Sequence, residues 1–124
     1  MNQKIIISTD TKNELQKLWE AHNIKKVFIV CDSAFPFLKT HDEYLDLNIP
    51  YVLFDEFTPN PLYEDVAAGV ERFREEQCDA ILAIGGGSAM DVAKCIKLFA
   101  TMNDSLVYLE QEFKENSILL AAIP

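Results

Sequence analysis

Five apolar runs rich in β-branched residues punctuate the chain at positions 5–7, 27–31, 51–54, 80–84 and 118–123. Most are too continuous to alternate inward and outward faces, so they predict strands buried on both sides. Between them the apolar positions recur at helical spacing: Leu15, Leu18 and Trp19; Phe37, Leu38, Tyr44 and Leu45; Val66, Val70 and Phe73; Val92, Ile96 and Phe99. Each set lines one face of a predicted helix. Strand and helix therefore alternate along the whole chain. That order implies right-handed βαβ crossovers and an α/β, Rossmann-like parallel sheet with helices on both faces. Thr58, Pro59, Asn60 and Pro61 mark a firm loop between the third strand and the next helix. No internal repeat or low-complexity linker divides the sequence, so residues 1–124 are expected to form one domain.

Composition narrows the function classes. A chain of 124 residues that is 49% hydrophobic can bury a core of its own. Its 11 basic and 20 acidic residues leave a formal charge of −9, which argues against nucleic acid or an acidic membrane surface as partner. Cys31, Cys78 and Cys95 are odd in number and widely spaced, and form no C-x-x-C pair. They read as reduced thiols of a cytoplasmic protein rather than a disulfide framework or a zinc site. No apolar run approaches the roughly 18 residues that span a bilayer. His22 and His41 have no spacing that makes a metal site and read as surface or helix-end residues.

In open parallel sheets ligands sit beyond the carboxyl ends of the strands, which directs attention to the residues after Cys31, Phe54 and Ile84. The stretch AIGGGSAMDVAK, residues 83–94, places three of the four glycines between a strand and a helix expected to open at Ser88. Glycines let a phosphate approach backbone N–H groups, and the helix dipole adds attraction. The stretch is neither G-x-G-x-x-G nor a P-loop, which would end in Gly-Lys-Ser/Thr. A purely structural reading is available beside the ligand reading: Ser88 and Asp91 form an S-x-x-D capping box, and Asp91 pairs with Lys94 one turn on. Asp32 likewise has two readings, as a ligand-binding acid or as the N-cap of the following helix.

The longer context carries a resemblance. Pro59-Asn60-Pro61, a helix containing Gly69-Val70, then DAILAIGGGSAMDVAKCIKLFA and finally LLAAIP, resembles the N-terminal nucleotide-binding domain of iron-containing alcohol dehydrogenases over nearly the whole chain. The run G-G-G-S-x-x-D-x-A-K resembles a specific motif of that family. The resemblance implies that Gly86, Gly87 and Ser88 hold the pyrophosphate of NAD and that Ala89, Met90 and Asp91 continue the contact toward the nicotinamide. It implies that Asp32 bonds the adenosine ribose hydroxyls, where a carboxylate repels a 2′-phosphate and favours NAD over NADP. Asn60 matches an asparagine that faces the nucleotide, although Leu62 stands where the family has threonine, which weakens that assignment. Lys94 is assigned no ligand role.

The resemblance further implies reversible hydride transfer between NAD and a small alcohol or aldehyde, with iron or zinc polarising the substrate oxygen. The family's metal is held by an aspartate and three histidines of a C-terminal helical domain, which these residues lack, so neither a catalytic residue nor a metal ligand is assigned here. The expectation is an inactive part of a longer NAD-dependent enzyme, cut after the strand at 118–123 and prone to self-association into a homo-oligomer through surface left uncovered. The wording DVAKCIKLF resembles the phosphonoacetaldehyde reductase branch. Two alternatives stand beside this: a stand-alone nucleotide-binding or assembly module, and a relative of the dehydroquinate synthase-like enzymes, which share a GGG turn followed by aspartate and lysine.

Overall fold

The computed structural model describes residues 3–5, 11–31, 49–55, 57, 62–85, 87–102, 108 and 116–123. Within them the chain runs β1 (Gln3–Ile5), α1 (Thr11–Ala21), β2 (Val27–Cys31), β3 (Tyr51–Phe54), α2 (Tyr63–Glu75), β4 (Ala80–Ile84), α3 (Gly87–Phe99) and β5 (Leu119–Ile123). The helix expected around residues 37–45 and the loop at 58–61 lie outside the described residues.

The strands form one parallel sheet in the order β1-β5-β4-β2-β3. Every residue of β2 and of β4 is buried, as the unbroken apolar runs require of strands covered on both sides. Odd positions of β2 (Val27, Ile29, Cys31) pack with Leu15 and Trp19 of α1. Even positions (Phe28, Val30) pack with α2 and α3 through Val66, Val70, Phe73, Val92, Ile96 and Phe99. The period-2 side-chain alternation of each strand thus feeds two separate cores. Phe28 anchors the second, meeting Phe73 edge-on at 5.6 Å and Phe54 in a stacked pair at 5.7 Å. Gly69 lets α2 approach: a Cβ there would lie 2.7 Å from Ile96 Cδ1 and 3.0 Å from the Phe54 ring.

Two strand starts differ from expectation. β1 already pairs at residues 3–5, Gln3, Lys4 and Ile5 with Leu120, Ala121 and Ala122, because the ladder uses only backbone groups and does not need an apolar side chain to begin; residues 6 and 7 of the expected run lie outside the described residues. β5 begins at Leu119 and not at 118, because the Ile118 backbone is engaged elsewhere. Its N–H donates to Asn116 Oδ1 (3.1 Å), and its carbonyl accepts from Lys97 Nζ (2.7 Å).

Polar locks gather at the amino end of the sheet. The Asp79 carboxylate accepts from the backbone N–H groups of Lys25 (2.9 Å) and Lys26 (2.9 Å), tying the approach to β4 to that of β2. Lys26 pairs with Glu76 at 2.9 Å, and that hydrogen-bonded ammonium holds the Glu76 carboxyl below its ordinary value. Arg74 donates to the carbonyls of Phe99 and Ala100, which satisfies the C-terminal end of α3 with a cation, as its dipole favours. No helix among the described residues is long and apolar enough to cross a membrane.

Candidate functional site

The strand order creates one reversal. The chain leaves β2 toward β3 at one edge of the sheet and leaves β4 toward β5 in the opposite direction, the switch point at whose crevice open parallel sheets bind ligands. Cys31 and Ile84 are register partners, so the two strands end level beneath that crevice. Asp32 directly follows Cys31 in sequence, and residues 85–87 follow Ile84.

Gly85 takes φ 119°, a left-handed backbone that only glycine adopts without strain. Gly87 is exposed and begins α3, and a Cβ built on it would meet nothing within 4 Å. Packing therefore does not explain glycine at 87, and the space beside it is open to an approaching group. Helix α3 carries no acidic residue in its first turn, whereas α2 carries Glu64 and Asp65 in its own. The first turn of α3 thus brings no acid of its own to the positive end of its dipole, while that of α2 does.

Of the expected binding residues, Gly87, Ser88, Ala89, Met90 and Asp91 lie in the opening turns of α3. Ala89 is buried and Met90 packs against the core, so neither side chain faces a ligand, and Ala89 would contribute through its first-turn N–H. Ser88 is half-buried and Asp91 exposed. Asp32, Asn60 and Gly86 lie outside the described residues.

The helix opens at Gly87, one residue before the expected start, which puts Ser88 in its first turn. Among the described residues no ion pair joins Asp91 to Lys94, both of which are exposed. Half-buried Cys95 lies one turn further on, and its thiol is pushed up by burial and then by the Asp91 charge.

Periodicity did not flag Lys97, which is buried with its ammonium donating to Asn116 O (3.1 Å), Asn116 Oδ1 (2.9 Å) and Ile118 O (2.7 Å). It fixes the far end of α3 to the start of β5 and takes no part in the crevice. A cleft of about 590 Å³ also lies far from the crevice, beside Trp19, Ile24 and Pro50 at the amino end of the strands. Neither helix starts nor strand carboxyl ends open into it.

No group of three or more His, Cys, Asp or Glu able to hold a metal occurs among the described residues. The donor set present here does not fit a catalytic metal. The α3 start, with its open glycine and first turn free of acids, fits a dinucleotide pyrophosphate.

The sequence matches the family described as iron-containing alcohol dehydrogenase over residues 2–124. It is 36% identical over 88 residues to a 1,3-propanediol dehydrogenase of Citrobacter freundii, covering 66% of this chain and 23% of that protein. It is 40% identical over 65 residues to a choline dehydrogenase of Bacillus subtilis, covering 52% of this chain and 16% of that one. Its fold superposes on a sulfoacetaldehyde reductase from Bifidobacterium kashiwanohense, solved in complex with NAD+, with TM-score 0.83 at 22% identity, over 99% of this chain and 34% of the other. The chain thus spans less than a quarter of these curated relatives and about a third of the solved one. With the match running through nearly every residue and the glycine turn at the crevice of the expected sheet, the chain belongs to the iron-containing alcohol dehydrogenase family.

Proposed function

We propose that these residues are the N-terminal, dinucleotide-binding part of a metal-dependent, NAD-linked alcohol dehydrogenase or aldehyde reductase. The observation that carries the reading is the start of α3: an open glycine and a helix end without its own acid, beside the strand ends where the sheet reverses direction. Gly86, Gly87, Ser88 and the Ala89 N–H take the pyrophosphate. Met90 supports the turn from the core, and the Asp91 side chain extends the contact toward the nicotinamide. Asp32, directly after β2, takes the ribose hydroxyls and disfavours a 2′-phosphate, with Asn60 on the loop after β3 beside the nucleotide.

The bound dinucleotide supplies hydride exchange with a small alcohol or aldehyde. This chain's part is to hold and orient it. In this reading no residue of the chain is assigned as acid, base or metal ligand, and turnover and the iron or zinc site are left to the family's helical metal-binding domain. Within the substrate class, the DVAKCIKLF wording favours a phosphonoacetaldehyde-like aldehyde. The three cysteines form no disulfide and are buried or half-buried, which supports a reducing cytoplasmic setting. The edge strands β1 and β3 support assembly into a homo-oligomer.

Calorimetric titration of the chain with NADH and NADPH, repeated on Asp32→Ala, tests the reading. NADH binding that weakens in the variant, with NADPH poorer in the parent chain, supports it. Absence of NADH binding at millimolar ligand refutes it. Alcohol-dependent NADH formation by the 124-residue chain supplied with iron or zinc would overturn the assignment of turnover to residues elsewhere.

A further inference from the structure

Leu62 is 60% exposed, the one large hydrophobic side chain so exposed among the described residues. It occupies the N-cap of α2, a position where Ser, Thr, Asp or Asn would stabilise the helix through a side-chain acceptor. Only the backbone half of a cap is made: the Leu62 N–H donates to Asp65 Oδ2 at 3.2 Å. An apolar side chain thus stands in water at a site that favours a polar one.

Its position relative to Gly87 can be worked out. Helices α2 and α3 touch where Gly69 meets Ile96. Both run from the carboxyl edge of the sheet toward its amino edge, as βαβ crossovers require. At 1.5 Å rise per residue, Leu62 lies about 10 Å and Gly87 about 13 Å beyond that contact, on the same side of the sheet. With packed helix axes separated by 8–10 Å, the two helix starts stand roughly 10–15 Å apart, within the reach of an adenosine unit measured from its phosphate.

Charge sorts the two ends. The first turn of α2 carries Glu64 and Asp65 and repels phosphate, while that of α3 carries no acid. A dinucleotide whose pyrophosphate sits on α3 can direct only an uncharged portion toward α2. We propose that Leu62 supplies the apolar face on which the purine of the dinucleotide rests; the inference builds on the dinucleotide reading above.

The experiment is competition binding on the 124-residue chain with NADH, ADP and inorganic pyrophosphate, together with thermal melting, for the parent chain, Leu62→Ala and Leu62→Thr. Loss of a partly buried leucine contact weakens NADH and ADP roughly 5- to 20-fold in both variants and leaves pyrophosphate within about twofold. Leu62→Thr meanwhile melts above the parent, because the hydroxyl completes the cap. Stability and affinity then move in opposite directions, which a merely structural leucine would not produce. Unchanged NADH and ADP affinity in both variants overturns the Leu62 assignment, as does an equal loss for pyrophosphate. A loss of self-association without a loss of affinity overturns it in favour of a protein contact. If the parent chain binds no NADH, the dinucleotide reading falls, and this inference with it.

Discussion

Replacing Gly87 by alanine separates what the glycine run does for the fold from what it does for a ligand. The added methyl meets nothing within 4 Å, so it enters without a clash. Alanine is a better helix former than glycine and narrows the unfolded ensemble, so the variant keeps its stability or gains up to about 1 kcal/mol. At the ligand site the same methyl occupies the open space beside the first-turn N–H groups. A phosphate displaced from them loses one or two charge-assisted hydrogen bonds of about 1.5–3 kcal/mol each, and even the lower end of that range weakens binding roughly tenfold.

Two other glycines serve as controls with different mechanisms. Gly85→Ala forces an L-residue to φ 119° and costs about 1–3 kcal/mol of stability. Gly69→Ala brings a Cβ to 2.7 Å from Ile96 Cδ1 and 3.0 Å from the Phe54 ring. Ile96 can rotate away while the stacked Phe54 cannot, which places that cost at the low end of overpacking, about 1 kcal/mol. Differential scanning calorimetry and NADH titration of the three variants give the comparison. The expected order is Gly87→Ala melting at or above the parent with the weakest NADH binding, and both others melting below it. A Gly87→Ala chain that binds NADH within about twofold of the parent, or melts below Gly85→Ala, refutes the reasoning.

Other perturbations address separate parts of the molecule. Lys97→Met leaves the half-buried Asn116 and Ile118 acceptors without their ammonium, and urea unfolding should show a loss of about 1–3 kcal/mol; less than about 0.5 kcal/mol would mean the network adds little. Burial pushes the Cys78 thiol up from 9.0 to about 11, so the folded state resists the thiolate; the contribution is intact below pH 9 and fades as pH rises toward 11. Melting curves of Cys78→Ala should therefore fall less steeply than the parent over that window, and parallel curves would contradict the assignment. Asp32→Ala should narrow the preference for NADH over NADPH, measured as the ratio of their dissociation constants; an unchanged ratio would remove Asp32 from cofactor selection.

The strands were legible because burial on both faces leaves a mark that no other element shares at that length: 27–31 and 80–84 are apolar throughout and are the two central strands found. The helices around Leu15, Val66 and Val92 were legible for the complementary reason, that one buried face imposes a 3.6-residue spacing. The start of α3 was misplaced by one residue because glycine has low helix propensity, and the expectation gave Ser88 the cap that its side chain prefers. Gly87 enters the helix nonetheless, continuous with a turn already bent by Gly85. Lys97 escaped notice for a different reason. Its burial depends on Asn116 and Ile118, which come from a distant segment whose side chains bear no periodic signature. The family wording around residues 85–94 carried information on binding that local physics alone left open between a cap and a cradle.

The arrangement also sets the polar locks and the proposed site at opposite ends of the strand axis. Asp79, the Lys26–Glu76 pair, Arg74 and Lys97 all join elements at the amino end of the sheet, where α2 and α3 finish and β2, β4 and β5 begin. The carboxyl end holds an open glycine, a helix whose first turn carries no acid and an exposed leucine. A helix held firmly at its C-terminus can keep its N-terminal N–H groups aimed at a fixed point. Preorganisation of this kind lowers the ordering cost of binding a flexible dinucleotide. It follows that substitutions at Arg74 or Lys97, far from any ligand, should weaken NADH binding only in proportion to the stability they remove. Those at Gly87 should weaken it while stability holds, and it is that divergence which would mark the crevice between β2 and β4 as a site rather than a turn.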